Sequence, residues 1–156
     1  EQADEKKSRS LFSSLIGYLR MPFGGDECGM TDVLSSEALF KIQSDVIRDI
    51  ASRESCIFVG RCADYILRDH PNCLNVFVHA DKSSRIKRIV ALGHCEEKKA
   101  PDFVTKKDKQ RANYYNFYSN NRWDDLQNYD LTIDTSRFSV DLAVEMLIDA
   151  AKMLDK

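Results

Sequence analysis

Gly60 and Arg61 follow directly on the apolar run Cys56-Ile57-Phe58-Val59. A glycine leaving a strand end lets a ligand approach the backbone, and the guanidinium beside it can fork onto a phosphate. Two further pairs have the spacing of neighbours on one helix face: Arg85 with Arg88 in DKSSRIKRIV, and Asp108 with Arg111 in KKDKQRANYYNFY. Arginines on elements able to close over a ligand suit phosphoryl transfer, where charge on the migrating group is met by fixed cations while water is expelled. Plainer readings stand beside this one. Arg61 could pair with a carboxylate such as Asp64, and Arg85 with Arg88 could be a solvated helix face.

Other chemistries fare worse. The five cysteines, at 28, 56, 62, 73 and 95, are odd in number and never spaced C-x-x-C, which points to neither a disulfide framework nor a zinc site. A reducing cytoplasm fits them. His70 and His79 have no serine or cysteine in a nucleophile context. The glycines of PFGGDECG lack both a preceding strand and the Lys-Ser/Thr pair of a phosphate-cradling loop. The basic run 106–111 with Tyr114, Tyr115, Phe117 and Tyr118 could form a platform for single-stranded nucleic acid. Against that, 23 Lys and Arg face 25 Asp and Glu, so a net charge of -2 gives no global pull toward nucleic acid or an anionic membrane. Any anion site must be local.

The elements that would position these residues are legible in part. With 156 residues, 43% of them apolar, the chain can bury one core without a staple, and it is expected to form a single domain over 1–156. No apolar run approaches the roughly 18 residues of a membrane helix, and the opening EQADEKKSRS is charged. Spacing predicts a helix over 8–20, then a mobile breaker-rich loop. A second helix from Ser36, with Leu39, Ile42, Val46 and Ile50 as its stripe, leads to a strand at Cys56–Val59. A short helix from Ala63 to Arg68 and a strand over 74–79 follow, then a helix striped by Ile86, Ile89 and Val90 with Gly93 as its C′ residue. The polar segment after it and a helix over 102–118 read as a flap. A strand over Tyr129–Asp134 and a helix striped by Val140, Ala143, Val144, Leu147, Ala151 and Leu154 close the chain. Strands separated by helices imply a parallel α/β sheet with helices on both faces and ligands at the carboxyl ends of the strands.

VGRCADYIL, DKSSRIKRIV, KKDKQRANYYNFY and NYDLTIDTS together resemble the cytidylate kinase-like proteins, with nearly the whole chain from Ser35 taking part. The resemblance implies a three-layer α/β sandwich of the P-loop nucleoside monophosphate kinase type, with a helical lid over 94–118. It implies that Gly60 and Arg61 bind the acceptor phosphate, with Asp64 also on the substrate side. Arg85 and Arg88 then contact the adenine or phosphates of ATP, and Asp108 and Arg111 the acceptor ribose and phosphate. The turn Asp134-Thr135-Ser136 approaches the adenine. Implied ligands are a nucleoside monophosphate, (deoxy)cytidylate above others, and ATP with Mg2+; no residue of the chain is assigned to the metal. The sequence departs from the family at three points. Cys62 and Ala63 separate Arg61 from Asp64, Val104 stands where an arginine is usual, and neither G-x-x-x-x-G-K-[ST] nor a G-S-G-G variant occurs. The last departure leads us to expect a strand and phosphate loop upstream of Glu1. The alternative is a non-catalytic nucleotide-binding or interaction module; a homodimer is compatible with either.

Overall fold

The computed structural model describes residues 36–154. The helix and loop expected before Ser36 lie outside them. Two compact units divide the chain, Glu1–Ile42 and Gln43–Lys156, and the elements after the first helix belong to the second. Helix α1 spans Ser36–Arg53 and α2 is the single turn Ala63–Ile66. Strand β1, Val76–His79, leads into α3, Lys82–Ala91. A 3-10 turn at Glu97–Lys99 precedes α4, Ala100–Ser119. Strand β2, Leu131–Asp134, and α5, Val140–Leu154, complete the order. Among the described residues no helix is long and apolar enough to cross a membrane.

β1 and β2 pair in parallel, in register from Val76 opposite Leu131 to His79 opposite Asp134. A parallel pair needs a crossover, and α3 and α4 supply it. Backbone bonds continue past both ends of the ladder: Asp130 N donates to Asn75 O at 2.8 Å, and Thr135 N to His79 O at 2.8 Å. Ile133 is almost fully buried. Phe77 meets Trp123 edge-on at 5.4 Å and Tyr129 at 4.9 Å.

One expected strand is not formed. Cys56–Val59 has no strand pairing among the described residues, and Ile57 and Val59 are 93% and 90% exposed. A strand exists only where a neighbour takes up its N-H and C=O groups, so an apolar run expected to form one stays unpaired when no neighbour is beside it. The α1 stripe is also rotated from the expected one. Its buried residues are Gln43, Ser44 and Ile47, while Leu39 is exposed.

The helices around the candidate residues have identifiable stops and starts. Asp81 caps α3, accepting from Ser84 N at 2.8 Å and from the Ser83 and Ser84 hydroxyls at 2.6 and 2.7 Å. At its other end Gly93 N donates to Val90 O and His94 N to Ile89 O, with Gly93 at φ 70°. That is a Schellman motif, whose left-handed C′ position favours glycine. Pro101 sits in the first turn of α4, where its missing N-H is harmless. Ala100, Val104, Tyr115 and Ser119 of α4 are buried, and the helix packs against α3.

Candidate functional site

α4 is the element on which the candidate residues converge. Asp108, near its middle, accepts a forked pair of bonds from Arg85 of α3, Nη1 to Oδ2 at 2.8 Å and Nη2 to Oδ1 at 2.6 Å. Arg111, one turn along, donates to Asp108 Oδ1 at 3.2 Å. One carboxylate therefore holds two guanidinium groups from two helices. The Arg85 and Asp108 side chains are about 30% exposed, wet enough for a ligand to reach and dry enough for the charges to matter. Arg88, a turn from Arg85, is exposed and makes no ion pair among the described residues.

Farther along α4 the contacts change partner. The Tyr115 hydroxyl donates to Asp64 Oδ2 at 2.5 Å, and burial together with that carboxylate drives the phenol far above its ordinary pKa. Asp64, a sequence-predicted substrate residue, is thus engaged by the protein itself. The Tyr114 hydroxyl accepts from Gln43 Nε2 at 3.1 Å and donates to Gln43 Oε1 at 3.3 Å. Burial raises its pKa, while bonds from Gln43 and the Arg61 guanidinium act in the opposite sense.

Gly60, Arg61 and Cys62 have φ of 69°, 60° and 56°, three consecutive residues in the left-handed region. Gly60 takes it freely; Arg61 and Cys62 do so against a steric penalty. The turn closes through Ala63 N to Gly60 O at 3.2 Å, and right-handed α2 begins at once. Beyond its chain neighbours, no atom of the described residues lies within 4 Å of where a Gly60 side chain would project. Buried Cys62 has its thiol pushed up to about 12 by desolvation and by Asp64.

The turn after β2 joins the two strand ends. Asp134 accepts from Ser136 N at 2.9 Å and from the Ser136 hydroxyl. Thr135 Oγ1 donates to His79 O at 3.0 Å, and Asp81 N donates to Ser136 Oγ at 3.2 Å. Asp134, Thr135 and Ser136 therefore tie the end of β2 to the end of β1 and the cap of α3. Hydrogen bonds from Ser136 lower the Asp134 pKa. No group of three or more His, Cys, Asp or Glu able to hold a metal occurs among the described residues.

Gln43 was not singled out from the sequence. Its signal was slight: Gln43 lies four residues before Ile47, so a polar residue shares a helix face with an apolar one, and both become buried.

The described residues thus combine a parallel strand pair with two packed helices joined by an Arg85–Asp108–Arg111 cluster. The profile described as "Cytidylate kinase-like family" matches residues 1–137, and this chain belongs to that family. The cytidylate kinase of Methanosarcina barkeri (strain Fusaro / DSM 804) is 30% identical over 108 residues, covering 65% of this chain and 56% of the relative. The match thus spans little more than half of that relative's length. The crystal structure of an uncharacterized protein from Eubacterium ventriosum ATCC 27560 is similar with a TM-score of 0.71 at 33% identity, covering 78% of this chain and 69% of that one.

Proposed function

We propose that this protein is a nucleoside monophosphate kinase passing the γ-phosphoryl group of ATP to a cytidylate-like acceptor, CMP or dCMP. The observation that carries the reading is the Arg85–Asp108–Arg111 cluster bridging α3 and α4. A carboxylate that fixes two guanidinium groups in advance supplies cations already oriented when a transferring phosphoryl group arrives, so little reorganisation is left to the reaction. Arg61 anchors the acceptor phosphate, Arg88 adds a cation on the nucleotide side, and the Asp134-Thr135-Ser136 turn borders the adenine. An acceptor phosphate oxygen attacks the γ-phosphorus in line. The new P–O bond forms as the bond to the β-bridging oxygen breaks, and ADP leaves with that electron pair, without a covalent enzyme intermediate. Magnesium would neutralise phosphate charge when bound with ATP.

The same reading gives the working protein a three-layer sandwich, with Cys56–Val59 as a strand beside a further strand that carries the phosphate loop. The exposure of Ile57 and Val59 supports it, as does the single partner of β1 among the described residues. Cys56, Cys62, Cys73 and Cys95 are free thiols, as befits a reducing cytoplasm.

The test is ADP formation from Mg-ATP by the full-length gene product, with CMP, dCMP, UMP and AMP offered separately. Turnover strongest with a cytidylate is the expected result. Folded protein that turns over none of the four overturns the kinase reading and leaves a nucleotide-binding or interaction module.

A further inference from the structure

Resting on the reading of Arg61 as the acceptor-phosphate anchor, we infer that Gln43 and Tyr114 are positioning residues that set the Arg61 guanidinium for its ligand. Gln43 is buried, only 6% exposed, on a helix face that would otherwise favour an apolar side chain. Its amide is fully occupied: Nε2 donates to the Arg61 backbone carbonyl at 3.1 Å and to the Tyr114 hydroxyl at 3.1 Å, and Oε1 accepts from that hydroxyl at 3.3 Å. Both partners lead to Arg61. The first bond pins the carbonyl at the centre of the left-handed Gly60-Arg61-Cys62 turn, and the second fixes a phenol that lies close enough for the Arg61 charge to act on it.

A non-glycine residue held at φ 60° persists only where its surroundings over-determine it. Gln43 and Tyr114 come from α1 and α4, on either side of the turn in sequence; Gln43 holds the Arg61 main chain, and Tyr114 holds Gln43. Relaxation of the turn toward right-handed φ would redirect the Cα–Cβ bond and swing the guanidinium away.

The test is a double-mutant cycle in the full-length protein. Gln43→Leu keeps the volume and removes both amide groups, and Tyr114→Phe removes the hydroxyl. Each is made in the wild-type and in the Arg61→Ala background, with CMP affinity measured by calorimetry and melting temperature beside it. In the wild-type background each weakens CMP binding by about tenfold, the order expected for misplacing a binding group. In the Arg61→Ala background neither weakens it further, because the group they position is gone. Equal losses in both backgrounds, or none in either, overturn the inference. If Gln43→Leu does not fold, Tyr114→Phe decides alone. Should wild type bind none of CMP, dCMP, UMP and AMP, or should Arg61→Ala bind CMP like wild type, the acceptor-site reading fails and takes the inference with it.

Discussion

Arg61 offers a way to separate the strain in the turn from the charge it presents. Arg61→Ala and Arg61→Gly both delete the guanidinium, but only glycine accepts φ 60° without a clash. Relieving the left-handed penalty gains ~1–2 kcal/mol. Against this, glycine adds freedom to the unfolded chain, a loss of ~0.4–1 kcal/mol. The net expectation is that Arg61→Gly is more stable than Arg61→Ala by roughly 0.5–1 kcal/mol. For a chain of this size that is about 1–4 °C in melting temperature. Urea titration of the two variants beside wild type measures the difference, and CMP titration checks that both have lost acceptor affinity to the same extent. If Arg61→Ala proves as stable as Arg61→Gly, or more so, the backbone is not strained at this position. Gln43 and Tyr114 would then hold the turn against no penalty.

Three other outcomes follow from the geometry. Asp108→Asn keeps the shape of the Arg85–Asp108–Arg111 cluster and removes its charge, so turnover should fall about 10–100-fold, as for a lost positioning group; with both side chains near 30% exposed, the stability loss should be only about 1 kcal/mol. A rate like that of wild type would assign the cluster to the fold alone. Thiol titration of the native protein at pH 8, read by mass spectrometry, should label exposed Cys56 quickly and buried Cys62, pushed up to about 12, only on unfolding; simultaneous labelling would contradict the packing of the turn. Asp81 is held well below the ordinary carboxylate range by the Ser83 hydroxyl and then by Ser84. Its contribution is present above its unfolded pKa of about 3.9 and is lost as pH falls below that. Asp81→Asn should therefore flatten the decline in urea midpoint between pH 5 and pH 2.5, and an unchanged decline would remove Asp81 from the account.

What the sequence disclosed and what it hid divide along the range of the interactions. Local signals were legible. Gly93 marked the end of α3, and the alternation of Leu74, Val76 and Val78 and the run to Asp134 gave the two strands that pair. The two three-residue spacings foretold neighbours on one helix face, and Asp108 with Arg111 became an actual pair. Partnerships between elements were not legible, because hydrophobic period sets which face is inward but not what it meets. Nothing local says that Arg85 would fork onto Asp108 rather than point to solvent, or that Asp64 would meet Tyr115 instead of standing open. The apolar run Cys56–Val59 shows the same limit from the other side, since strand propensity is a preference for a neighbour and cannot create one.

The opening Gly60-Arg61 pair joins both kinds of information. Glycine was read as permitting close approach of a ligand, yet the left-handed conformation runs through the next two residues as well. The carbonyl at its centre accepts from a buried glutamine 18 positions earlier, which also bonds a tyrosine 53 positions later. A turn that only reversed the chain could have used glycine or asparagine at each left-handed position and needed no such support. An arginine kept there, against its own preference and held at its carbonyl by a buried amide, is better accounted for by what its guanidinium does than by the path of the backbone.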